Sequence, residues 1–96
     1  MVDHVAEIQR LCRAVDWFAE EMKMKLLAKV AEGWTGWHCK EYIHGGDNMR
    51  QVLSHVDRLK NGEPQEVDIA NLCMFRARYR YLGPGSEVKD ANDTPR

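Results

Sequence analysis

The first thirty residues constrain this chain more than any other stretch. Val5, Ile8, Cys12, Val15, Ala19, Met22, Leu26 and Val30 recur at spacings of three and four, the period of one helix face. Asp3 is placed to cap the start and Gly33 to end it. Leu11, Phe18 and Leu27 widen the stripe beyond what one partner helix would cover. About 28 residues at 1.5 Å each predict a rod roughly 42 Å long. Only 96 residues are present to cover it, so the remaining chain cannot bury the whole stripe. The expectation is a homo-oligomer in which copies cover one another's helices, a dimer being the simplest case.

The rest of the chain reads as two shorter helices. "GWTGWHCKEYIHGG", residues 33 to 46, holds four glycines, three large aromatics and two histidines with little periodicity. It predicts a structured loop or a short irregular helix. The second helix is expected over Asp47 to Lys60, with Met49, Val52, Leu53, Val56 and Leu59 inward and Asn61–Gly62 as the stop. The third is expected to open at Glu63, with Pro64 at its first helical position. Val67, Ala70, Met74 and Ala77 lie on one face, and Ile69, Leu72 and Cys73 on another, which predicts burial from two sides. From "LGPGSEVKDANDTPR" onward glycine, proline, serine and charge predict a disordered tail. The fold class is therefore all-α, a single helical domain over 1–82 and a tail over 83–96.

Composition narrows the partners. The 14 basic and 15 acidic residues nearly cancel, which gives no overall field for nucleic acid or an anionic bilayer. No apolar run approaches the roughly 20 residues of a membrane span. "MVDHVAEIQR" lacks the basic start and apolar block of a secretory signal. Cys12, Cys39 and Cys73 form no CxxC pair, which fits a reducing cytoplasm. His38, Cys39 and His44 match no standard zinc spacing.

Chemistry concentrates on the third helix. Gln65, Asp68 and Asn71 are spaced by three and make a polar strip on an apolar helix. First-turn placement, where the helix dipole favours polar and acidic groups, accounts for Gln65 and Asp68. It accounts poorly for Asn71, a weak helix former that needs partners when buried. Arg50 and His55 on the second helix, and Arg76 beyond it, are suited to phosphate. Trp34, Trp37 and Tyr79 are candidate stacking surfaces, although the two tryptophans equally suit a small core.

"WFAEEMKMKLLAKVAEGWTGW" and "LSHVDRLKNGEPQEVDIANLCMF" resemble small phage proteins of the dATP/dGTP pyrophosphohydrolase-like group. Those are similar in turn to the all-α MazG-like nucleotide pyrophosphohydrolases. The resemblance spans roughly residues 14 to 78, and "VDIAN" is its most specific piece, where the family's Asp and Asn match Asp68 and Asn71. It implies a nucleotide site and, in active members, Mg²⁺ held by ExxE and ExxD clusters. This sequence departs from both clusters. Gln65 stands three before Asp68, and the second helix reads Arg50, Ser54, His55 and Arg58 where acids are expected. Asp68 is the one ligand with a clear counterpart, and a single carboxylate holds a dication weakly.

The reading favoured by that ligand count is a phage-type protein in the cytoplasm of an infected bacterium. It would sequester a nucleotide or a cyclic-nucleotide immune signal without hydrolysis and without a required cofactor. Asp68, Asn71, His55, Arg50, Arg76, Trp34, Trp37 and Tyr79 would line its site. One alternative is an Mg²⁺-dependent dNTP pyrophosphohydrolase that gathers carboxylates from two subunits. The other is an oligomeric interaction module that inhibits a host protein.

Overall fold

The computed structural model describes residues 3–83, and within them all regular secondary structure is helical: α1 (His4–Ala31), α2 (Lys40–His44), α3 (Asp47–Lys60) and α4 (Glu66–Leu82). The expected tail falls, apart from Gly83, outside the described residues. No described helix is long and apolar enough to cross a membrane.

Helix α1 has the expected length of 28 residues. The Asp3 side chain accepts a hydrogen bond from the Ala6 N–H at 3.1 Å, satisfying one of the orphan donors of the first turn. The chain leaves the helix through Glu32 and Gly33, whose φ of +92° only glycine adopts without strain. No residue of α1 is buried. Its C-terminal half rests on α4 through Met22 and Leu26, whereas Val5, Ile8, Leu11 and Val15 of the N-terminal half stand exposed.

The segment between the first two long helices contains a short helix, α2, one of the two forms expected for it, which ends in a two-glycine corner. A Cβ on Gly45 would collide with the Glu41 carbonyl oxygen, and Gly46 has a φ of +94°. Helix α4 begins at Glu66 rather than Glu63. The Glu63 N–H bonds back to the Arg58 carbonyl at 3.1 Å, and its carboxylate pairs with the Arg58 guanidinium at 3.0 Å. Residues 63 to 65 therefore close the turn after α3, Pro64 lies ahead of the helix, and Gln65 takes the N-cap position.

The core is small and aromatic. Ile43, Val52, Leu72 and Phe75 are buried, with Leu26, Trp34, Trp37 and Tyr42 packed around them. The Phe75 ring lies between Trp34, 5.6 Å away, and Trp37, 5.1 Å away, at interplanar angles near 30°. Three rings in this arrangement fix the loop after α1 onto α4 by burial and offset stacking together. Met49 and Leu53 on α3 and Cys73 on α4, expected to face inward, are exposed: they lie on faces that the packing of α1, α2, α3 and α4 against one another does not cover.

Asn48 is fully buried. Its amide donates to the Leu72 carbonyl at 3.1 Å and its Oδ1 accepts from Arg76 at 3.3 Å, joining α3 to α4. Both ends being satisfied, its burial adds specificity without a desolvation penalty left uncompensated.

Candidate functional site

Helical spacing brings a polar group of side chains to one half-open place. On α4, Asp68, Asn71, Leu72 and Phe75 are separated by three or four residues and so share a face. On α3, Gln51 and His55 do the same, and on α1 Lys25 and Lys29 flank Leu26. These three faces, closed by Trp34, surround a cavity of about 150 Å³. That is below the roughly 300–1,000 Å³ of pockets that swallow a whole small molecule, and suits one compact moiety of a larger ligand.

The polar atoms have definite assignments. Lys25 Nζ sits 3.6 Å from Asp68 Oδ2, the lysine half exposed and the aspartate nearly buried. Lys29 makes no ion pair among the described residues. His55 Nδ1 pairs with Gln65 Oε1, so with that amide orientation Nδ1 carries the proton. Gln65 is buried and its amide ties the loop before α4 to α3. Gln51 Oε1 accepts from the Tyr42 hydroxyl. Burial holds that phenol above its ordinary pKa, with the nearby Asp47 charge adding to the effect.

Asn71 is the exception to this pairing. Its Nδ2 donates to the Met22 carbonyl at 3.2 Å, which fixes the amide's orientation because a carbonyl can only accept. Its Oδ1 is then left buried with no partner, alone in that respect among the described residues. The residue is only 4% exposed, so the lone pair is desolvated without compensation.

The expected site residues divide into four groups. Asp68, Asn71, His55 and Trp34 meet at the cavity. Arg50 lies next door, paired with Asp47 on an open groove that shares Trp34 and Gln51 with the cavity. Arg76 and Tyr79 line a different groove beside Ile43 and His44, where Arg76 is engaged with Asn48 and Tyr79 meets the His44 ring edge-on at 5.0 Å. Trp37 packs in the core with the Arg78 guanidinium 5.6 Å above its ring. Lys25, Lys29 and Gln51 were not singled out from the sequence. "EEMKMKLLAK" looks like any solvated helix face until α4 is laid against it.

The donor set does not suit the Mg²⁺ that the resemblance implies. Mg²⁺ asks for near-octahedral oxygen ligands, usually with more than one negative charge. Asp68 is the only carboxylate lining the cavity, and an ammonium already faces it. The amide at the neighbouring ligand position, Gln65, is bonded to His55. Among the described residues no group of three or more His, Cys, Asp or Glu side chains comes together to hold a metal. The chain matches no protein-family model, no curated protein and no solved structure.

Proposed function

We propose that this protein binds a nucleotide or a nucleotide-derived signal in the cavity between α1, α3 and α4 and holds it without hydrolysis. The observation that carries this reading is the unpartnered Oδ1 of Asn71. A buried acceptor without a donor costs about 1–3 kcal/mol, and a ligand N–H or O–H that reached Oδ1 after a small shift of the side chains covering it would remove that cost on binding. The Trp34 and Phe75 rings on the same cavity add apolar surface suited to a planar or sugar moiety. The poor fit to Mg²⁺ supports capture over turnover, because metal-assisted phosphate chemistry depends on the ion's charge.

The resemblance to MazG-like proteins from phage supplies the class of ligand. In that setting a cyclic-nucleotide messenger of bacterial immunity is one ligand, and removing it from the infected cell is the counter-defence role proposed for the chain. A homo-oligomer belongs to the same proposal. Among the described residues Val5, Ile8, Leu11 and Val15 of the N-terminal half of α1 are left exposed, and an isolated helix of about 12–15 residues is marginal in water. A second copy laid along Val5, Ile8, Leu11 and Val15 would supply that support.

Thermal melting in EDTA with a panel of nucleotides and cyclic dinucleotides tests the capture reading. A ligand at 100 times its Kd stabilises the folded state by about 2.7 kcal/mol, which raises Tm by roughly 10 °C or more in a domain this small. If no member of the panel moves Tm, the reading is wrong. Pyrophosphate release from a dNTP with Mg²⁺ or Mn²⁺ would replace it with the hydrolase alternative.

A further inference from the structure

The charge on the α1 wall of the cavity is only partly answered by the ion pair of Lys25 with Asp68. Lys25 and Lys29 are four residues apart on one helix face, a like-charge spacing that weakens a helix. One carboxylate, Asp68, answers the pair, and Lys29 has no ion-pair partner among the described residues. The two lysines and Asp68 together leave an excess of one positive charge at the cavity. Asn71, whose Oδ1 is the unpartnered acceptor, lines the same cavity. An anion alone answers the lysines and not Asn71; a neutral donor alone does the reverse.

We infer that Lys25 and Lys29 form a metal-independent cradle for a phosphate group, and that the ligand is a phosphate ester whose hydroxyl or N–H reaches Asn71 Oδ1. The inference rests on the nucleotide reading above and specifies which part of the ligand enters the cavity. The space of about 150 Å³ takes one phosphate and the atoms next to it, leaving the remainder of the ligand outside. The Lys25 ammonium stands before Asp68, where the resemblance would put a dication, and the positive charge for the phosphate is thus built into the chain. Lysine suits this role as a compact point charge on a flexible stem.

The test is titration calorimetry in EDTA with inorganic pyrophosphate as the probe, followed by displacement with nucleoside mono- and triphosphates. Lys25→Met and Lys29→Met are each expected to weaken pyrophosphate binding about tenfold or more, the usual effect of losing a charge-assisted hydrogen bond. Lys23→Met, which alters an exposed lysine paired with Glu20, is expected to leave binding unchanged. Asp68→Asn gives the sharpest sign: removing a negative charge beside the phosphate is expected to tighten binding several-fold, whereas loss of a metal ligand would abolish it. The inference is overturned if pyrophosphate does not bind in EDTA, if either lysine variant binds as tightly as the parent, or if Asp68→Asn binds more weakly. Pyrophosphate binding that no nucleoside phosphate displaces would leave the cradle standing and remove the nucleotide reading. Nucleotide binding indifferent to both lysines would do the opposite.

Discussion

Replacing Asn71 by leucine should make the ligand-free protein more stable and its cavity useless. The Nδ2 bond to the Met22 carbonyl would be lost, a neutral hydrogen bond of about 0.5–1.5 kcal/mol. Its loss strands no acceptor, because the Met22 carbonyl keeps its own intrahelical partner within α1. Against that, the substitution removes a buried acceptor with no partner, a group that costs about 1–3 kcal/mol. The larger side chain has room in the adjoining cavity beside Leu26 and Leu72, so overpacking is avoided and apolar contact is gained at about 0.8 kcal/mol per buried CH₂. The sum is a stabilisation of about 1–2 kcal/mol. For a domain of this size it appears as a Tm raised by roughly 4–16 °C in a calorimetric scan without ligand. Titration with the best ligand of the nucleotide panel should show binding at least tenfold weaker. A variant destabilised by 2 kcal/mol or more would refute the reasoning. It would mean that Asn71 serves the fold, with its Oδ1 satisfied in solution.

Other expectations follow from the same structure. Asn48→Ala removes two satisfied buried hydrogen bonds between α3 and α4 and leaves a void, and should cost about 2–4 kcal/mol, read as a fall in Tm of 10 °C or more. Its contrast with Asn71→Leu separates an asparagine that holds the fold from one that waits for a ligand. The raised pKa of Tyr42 favours the neutral phenol in the folded state. Its contribution to stability is thus fully present below the unfolded value of about 10 and is lost as pH rises through the folded value. Above about pH 10 the urea midpoint should fall more steeply with rising pH in the parent than in Tyr42→Phe. Ile8→Glu and Val15→Glu place charge on the exposed stripe of α1, and light scattering after size exclusion should show a parent oligomer turned into monomer, with helicity lost from the N-terminal half. A parent already monomeric would remove the oligomer from the proposal.

The elements that depend on local chemistry were readable in advance. The extent of α1 follows from its periodicity, Asp3 and Gly33, and α3 from its amphipathic pattern and the Asn61–Gly62 stop. The start of α4 was misread because Pro64 suits a first helical position. What governs there is a turn closed by Glu63 onto Arg58, which no propensity encodes. Around the cavity, Asp68 and Asn71 drew notice because polar groups on an apolar helix need a reason, and His55 because it lies beside an arginine-bearing turn. Lys25 and Lys29 did not, since a lysine that borders a cavity and one that does not have the same sequence signature. Arg76 looked like a phosphate ligand for the converse reason: its partner, Asn48, lies 28 residues away and is visible only in the fold.

The central claim is capture through charge that the chain itself carries. Titration calorimetry with nucleoside phosphates and cyclic dinucleotides, run in EDTA and again in Mg²⁺, with the ligand recovered afterwards by chromatography, addresses it directly. The account expects a saturable heat for at least one ligand in EDTA, an affinity that Mg²⁺ does not improve, and the ligand recovered whole. Binding that appears only with Mg²⁺, or a ligand returned as monophosphate and pyrophosphate, would contradict it.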